Sequence, residues 1–190
     1  MKFTRESAIC CLGKAEAGKT WWIVEHLKRV PYGKAYIFDF NQSDFNAFRK
    51  SQNVWLNQTG SIQEFEKFIQ IPYSAGNCMV VMEEADNYLS TDTPTIRRFV
   101  TTARNRGCGM MVSCKRAKSV LPQYRARFTH LILFHNDLID DIAYIEEWIG
   151  IKKEKEKARA LEKTLRGLAL KGEFIEVDLV NSTSSEVKKL

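Results

Sequence analysis

Residues 13–20 read Gly13-Lys14-Ala15-Glu16-Ala17-Gly18-Lys19-Thr20, the G-x-x-x-x-G-K-[ST] spacing that suits a loop wrapped around phosphate. The two glycines let the backbone curl until successive N–H groups converge on phosphate oxygens. Lys19 has the reach to touch β- and γ-phosphates, and the Thr20 hydroxyl suits one ligand position of Mg²⁺. A second chemical group lies downstream, where the apolar run Cys78-Met79-Val80-Val81-Met82 ends in Glu83-Glu84. Two adjacent carboxylates closing a buried strand are costly unless a cation or solvent meets them. One of the pair suits Mg²⁺, and its neighbour suits polarising an attacking water. The plainer alternative is two solvated loop carboxylates. A third group is a block of cations. From Arg97 to His135 there is no Asp or Glu, while Arg97, Arg98, Arg104, Arg106, Lys115, Arg116, Lys118, Arg125 and Arg127 all fall inside it. A one-sign block of this kind points to a polyanion partner or to an interface with one.

These groups need a frame, and hydrophobic spacing predicts it. Ala8-Ile9-Cys10-Cys11-Leu12 reads as a buried strand entering the glycine loop, and Trp22, Ile23, His26, Leu27 and Val30 share one helical face beyond it. Strand, loop and helix in that order lay phosphate on a helix N-terminus. Pro31-Tyr32-Gly33-Lys34 reads as a turn, 35–39 as a second strand, and Asn41-Gln42-Ser43 as a polar loop with Asp44 starting a short helix. Val54-Trp55-Leu56 reads as a brief extended segment. Ser61 with Glu64 has capping-box spacing ahead of a helix burying Ile62, Phe65, Phe68 and Ile69.

A loop is expected at 73–77, the acid-tipped strand at 78–82, loop-like chain at 87–94, a helix at 93–105 and a fourth strand at 110–114. A loop at Leu121-Pro122, a fifth strand at 131–134, helices at 139–149 and 154–168, and an alternating last strand at 173–179 complete the pattern. Strands alternating with helices predict an α/β protein with a largely parallel sheet. We expect one domain over 1–180 and a flexible tail over 181–190.

Composition excludes several classes. The 190 residues carry a net charge of +6 with 44% hydrophobic and 27% charged residues, values of a globular chain. No apolar run is long enough to cross a bilayer and no signal peptide is visible, so the expectation is a cytoplasmic protein without its own membrane anchor. The five cysteines show no C-x-x-C spacing and the three histidines no ligand pattern, which argues against zinc and for reduced, structural thiols.

Several stations, in order, resemble the FtsK/HerA group of P-loop ATPases, and most closely its small viral genome-packaging members. Gly13–Thr20 is the Walker A loop, and 35–40 resembles the strand ending in an Asp turn. Residues 80–86 resemble the Walker B strand, with Glu83 as the metal acid and Glu84 as the catalytic acid. Ala103-Arg104-Asn105-Arg106-Gly107 before 110–113 resembles the arginine–glycine–strand passage leading to the sensor position, here Ser113. Leu121-Pro122, Arg125 and Gly172–Ile175 match further stations. Two positions depart from the group: Glu83 where Asp is usual, and Ser113-Cys114 where Gln follows a small polar residue.

The resemblance implies a RecA-like (ASCE) P-loop NTPase fold, with the fourth strand between the Walker A and Walker B strands. It implies ATP and Mg²⁺ as cofactors and a homo-oligomeric ring, pentamer or hexamer, around double-stranded DNA. An arginine given to the neighbouring subunit completes the site, with Arg104 and Arg106 the best candidates and Arg97, Arg98 and Arg125 the alternatives. It also implies capsid proteins at a packaging vertex as further partners, and work in a host cytoplasm or in association with the virion. Two alternatives are a filamentous-phage-assembly (Zot-like) ATPase and a low-turnover nucleotide-binding switch.

Overall fold

The structure, a computed structural model, describes residues 3–4, 6–29, 33–42, 45–50, 52–56, 58–170 and 172–189. The readings that involve Val30, Pro31, Tyr32, Ser43, Asp44 and Leu190 fall outside these residues.

Every residue of β1 (Ala8–Leu12) is buried, and a strand buried on both faces needs a packing layer on each. The chain supplies these layers in sequence: α1 (Lys19–Arg29), β2 (Ala35–Asp39), β3 (Asn53–Leu56), α2 (Ile62–Ala75), β4 (Met79–Met82), α3 (Asp86–Leu89), α4 (Pro94–Thr102) and β5 (Gly109–Cys114). There follow α5 (Pro122–Arg125), β6 (His130–Phe134), α6 (Ile139–Trp148), α7 (Lys155–Gly167), β7 (Glu173–Asp178) and the two-residue strands β8 (Thr183–Ser184) and β9 (Lys188–Lys189). Side chains of β1 alternate between two cores. Ala8, Cys10 and Leu12 join Phe65, Ile69, Ile96, Phe99, Ile142 and Leu165 from α2, α4, α6 and α7. Ile9 and Cys11 join Trp22 and Ile23 of α1 and Phe45 and Phe48 of a 3-10 turn region. All five cysteines are buried and free, as their apolar settings predict.

The sheet order is β3-β2-β4-β5-β1-β6-β7-β8, with β9 also paired to β7. Pairing is parallel from β3 through β6, whereas β7 runs antiparallel to β6 and to both short strands. This is the mostly parallel, helix-flanked sheet expected, and β5 lies between β1 and β4 as the resemblance implies. The brief segment at 54–56 is a full edge strand, which makes the strand of 109–114 the fifth. Residues 183–189, read as tail, carry the two short antiparallel strands.

Three loop expectations give way to helix because buried faces continue through them. Tyr73, Ser74 and Ala75 form the last turn of α2, since Phe65, Phe68, Ile69 and Pro72 extend one buried face to that point. Gly76 then stops the helix at φ +66, where a Cβ would lie 2.9 Å from the Arg106 carbonyl oxygen. Residues 86–89 form α3 and bury Tyr88 and Leu89, and Pro122 opens the short α5. The long helix expected over 93–105 is α4 followed by a 3-10 turn over 103–106.

Tyr88 matters because α3 begins two residues after Glu84. Its ring stacks on Phe65 with centroids 4.2 Å apart and planes 5° from parallel, pinning the acid-bearing turn to α2. Removing the Phe65 ring leaves a cavity among fully buried neighbours. Phe65→Ala is expected to cost about 3–5 kcal/mol of unfolding free energy, read from the midpoint of a urea titration; a loss under about 1 kcal/mol would contradict this packing role.

Candidate nucleotide site

Three parallel strands end together and deliver the site. In open α/β sheets, ligands gather at the carboxyl ends of the strands. Here β1 runs into the glycine loop, β4 into the two acids, and β5, between them, into Ser113 and Lys115. Leu12 pairs with Cys114 and Met82 with Val112, so the loop and the acids leave the sheet on either side of one strand.

The loop is held from outside itself. Gly13 donates its N–H to the Cys114 carbonyl at 3.3 Å, and Lys14 donates its N–H to the His135 carbonyl at 3.0 Å. A Cβ on Gly13 would sit 2.7 Å from the Phe134 Cβ, so only glycine lets β6 approach this closely. Gly18 takes φ +99 just before α1 begins. Lys19 is buried and folds back, its Nζ donating to the Gly13 carbonyl at 2.8 Å and the Lys14 carbonyl at 2.7 Å. Burial lowers its pKa from the ordinary lysine value; Cys11, Asp86 and Cys114 oppose that shift, and the nearby Lys115 cation adds to it.

The acids meet the loop across this gap. Thr20 Oγ1 donates to Glu83 Oε1 at 2.8 Å, and Glu83 Oε2 accepts the Asn41 N–H at 3.3 Å. Glu83 is 1% exposed. A buried carboxylate touching a hydroxyl is an oxygen donor set suited to a hard cation that completes its shell with phosphate and water. Among the described residues no group of three or more His, Cys, Asp or Glu could hold a metal by itself. Mg²⁺ arriving with a polyphosphate fits Thr20 and Glu83.

Glu84 takes a different direction. Its backbone is left-handed at φ 47, an uncommon conformation for a residue with a side chain. Ser113 secures it: the Glu84 N–H donates to Ser113 Oγ at 2.9 Å, and the Ala85 N–H donates to the Ser113 carbonyl at 2.8 Å. The turn lifts the Glu84 carboxylate into the cleft, where Lys115 Nζ lies 2.7 Å away. Asp86 is held behind it. Burial raises its pKa, backbone N–H donors including that of Arg116 at 3.2 Å oppose the shift, and the Glu84 charge adds to it.

Together these residues line a cleft of about 580 Å³, bounded by Ala15, Glu16, Gly18, Lys19, Thr20, Trp21, Asn41, Glu84, Ser113 and Lys115. A larger hollow of about 1690 Å³ lies elsewhere and contains, of the predicted site residues, Arg104.

The structure thus brings together Gly13–Thr20, Glu83, Glu84 and Ser113. It separates them from Arg104 and Arg106, which precede β5 at the other end of the sheet, about 20 Å away for a strand of this length. Arg106 donates to the carbonyls of Tyr73 at 3.4 Å and Ser74 at 3.3 Å. The Arg104 side chain is 72% exposed, with one 3.6 Å contact to Glu6. Other cations of the block meet acids from outside it: Arg97 pairs with Asp92, Arg116 with buried Asp141 at 2.7 Å, and Lys118 with Asp140 at 3.8 Å. Arg125 is buried over Tyr144 and Trp148. Sequence reasoning missed Asn41, Trp21 and Lys115 as site residues. Lys115 was legible only as one cation among nine, although its place just past a strand's carboxyl end is a usable signal.

A phosphate loop on β1, an acid pair on β4 and one strand between them define the fold of a P-loop NTPase. No protein-family model and no curated protein sequence matches the chain. Solved structures do. The genome packaging NTPase B204 from Sulfolobus turreted icosahedral virus 2, in complex with AMPPCP, is 20% identical with a TM-score of 0.76 over 98% of both chains. B204, the DNA-packaging ATPase from Sulfolobus turreted icosahedral virus, is 16% identical with a TM-score of 0.77, again over 98% of both. The cytoplasmic domain of the Thermomonospora curvata type VII secretion ATPase EccC matches all of this chain with 24% of its own length, at 8% identity and a TM-score of 0.64. At these identities the likeness establishes a common fold.

The tight Gly13–Phe134 approach makes a specific demand. Gly13→Ala is expected to lower the melting temperature and to abolish the extra stabilisation that a bound nucleotide confers, both read by thermal melts with and without an ATP analogue. An unchanged ligand-induced shift in the variant would show that the loop does not need this contact.

Proposed function

We propose that this chain is an ATP-hydrolysing motor subunit that moves double-stranded DNA, packaging a viral genome into a capsid. The observation that carries the reading is the Thr20–Glu83 hydrogen bond with Glu84 beside it, because it joins a phosphate loop to a metal acid and a water-polarising acid. Full-length likeness to packaging NTPases supports the cargo.

In this reading, the backbone N–H groups of Ala15, Glu16 and Gly18 and the Lys19 ammonium hold the polyphosphate, and Lys19 exchanges its two carbonyl partners for phosphate oxygens. Thr20 and Glu83 would hold Mg²⁺, which would offset phosphate charge when bound. Glu84 orients and polarises the attacking water, and Ser113 keeps the Glu84 backbone in place. Subunits form a ring of five or six around DNA in the host cytoplasm, docked on capsid proteins at the packaging vertex. Arg104, exposed and remote from its own cleft, is the arginine offered to the neighbour, where its positive charge meets the charge developing on the transferred phosphoryl group. Arg106 supports the same turn. Among the described residues no helix is long and apolar enough to cross a membrane.

Three experiments test this. Lys19→Ala is expected to abolish nucleotide binding, and Glu84→Gln to keep binding while slowing hydrolysis by roughly 10²- to 10⁴-fold, measured with a fluorescent nucleotide and by phosphate release. Turnover near wild type in Glu84→Gln would remove Glu84 from its role, and DNA affinity that ignores salt would remove the phosphate-directed DNA contact. For the arginine, Arg104→Ala and Lys19→Ala subunits, each inactive alone, are expected to recover hydrolysis on mixing, because one keeps an intact cleft and the other an intact arginine. Failure of every mixing ratio to restore activity would rule out Arg104 acting on a neighbour.

A further inference from the structure

Lys115 sits in the cleft without a part in the chemistry described so far. It follows Cys114, the partner of Leu12, and so leaves the sheet alongside Gly13 and the phosphate loop. Its Nζ is 2.7 Å from Glu84 Oε1, with side-chain exposures of 43% for the lysine and 17% for the glutamate. Both line the cleft that Lys19, Thr20 and Ser113 also line.

As a contribution to stability, a half-exposed ion pair counts for little. Its position matters more, because the Glu84 oxygen that holds the ammonium is already occupied and is closed to an attacking water. The two partners also differ in freedom. Glu84 stands on a left-handed backbone tied to Ser113 through its own N–H and that of Ala85. Lys115 carries its charge on a flexible four-carbon stem. Lys115 lines the same cleft as Gly18, Lys19 and Thr20, and a terminal phosphate held there would carry more negative charge than one carboxylate. Lys19 and Lys115 share the cleft, and a polyphosphate is the anion that relieves the repulsion between them.

We propose that Lys115 is a positioning residue that exchanges partners: in the empty cleft it pairs with Glu84 and withholds that carboxylate from water, and with a triphosphate bound it moves to the γ-phosphate and frees Glu84. Glu84 thereby becomes available to water only when a γ-phosphate is in place, and the site returns to its resting pair once phosphate leaves. The inference rests on the nucleotide reading above, and the diphosphate serves as its internal control.

The test uses the full chain with Mg²⁺, titrated with ADP and with the non-hydrolysable triphosphate AMPPNP. Lys115→Ala is expected to keep ADP affinity and lose about tenfold in AMPPNP affinity, the scale of one charge-assisted hydrogen bond, with turnover falling and largely restored in Lys115→Arg. Glu84→Gln, which removes the competing partner, is expected to tighten AMPPNP several-fold with ADP unchanged, and the gain is expected to vanish in the double variant Lys115→Ala/Glu84→Gln. A Lys115→Ala chain that loses ADP and AMPPNP equally, or loses neither, overturns the exchange, as does an unchanged AMPPNP affinity in Glu84→Gln. Wild-type chain that binds neither nucleotide would instead bring down the nucleotide reading itself.

Discussion

The hydrogen bond from Thr20 to Glu83 spans a strand that contributes neither of its atoms, and most of the fold serves to make that span possible. β5 is buried throughout and paired on both sides, so it sets the separation between the loop of β1 and the acids of β4. Parallel pairing is the essential constraint. Because all three strands run the same way, all three carboxyl ends reach one edge, and the three kinds of chemistry meet there. Antiparallel pairing at either junction would send one of them to the opposite edge.

Packing then makes this edge rigid where the chemistry needs it. Gly13 is pressed against Phe134, and the loop is bonded to the ends of β5 and β6 through Cys114 and His135. On the acid side, Tyr88 stacked on Phe65 anchors the turn after β4, and Ser113 holds Glu84 in a backbone conformation that side chains disfavour. Such a conformation costs of order 1–3 kcal/mol and persists only where its surroundings determine it. Here the surroundings are two hydrogen bonds, donated by the Glu84 and Ala85 N–H groups and both accepted by Ser113 of the central strand.

Electrostatics complete the arrangement. The cleft is lined by Lys19 and Lys115 together with Glu16 and Glu84, and Glu83 lies buried beneath. The basic block that includes Lys115 is less uniform than its sequence suggests. Glu6, Asp92, Asp140, Asp141 and Glu84, all outside the block, come in from neighbouring segments to meet five of its cations. Arg125 is taken up by aromatic rings. Arg104 stays largely exposed at the far end of the sheet, beside Glu6.

How much of this was legible in the chain follows from the range of the interactions involved. Local patterns were read well. The glycine loop, the apolar run ending in Glu83-Glu84, the Ser61 cap that accepts the Glu64 N–H at 3.2 Å, and the alternation of strands with helices all depend on neighbours in sequence. Helix ends were read less well where a buried face continued past the residues that usually break helices, as at 73–75 and 86–89, because tertiary packing outweighs propensity. The ion pair of Lys115 with Glu84, the Glu83 contacts to Thr20 and Asn41, and the removal of Arg104 from its own cleft join residues 31, 63, 42 and many more positions apart. Amino-acid types and spacing determined that this chain can hold phosphate beside a pair of acids. Only the parallel sheet, by choosing which strand ends share an edge, decided which cation faces Glu84 and which lies at the opposite edge.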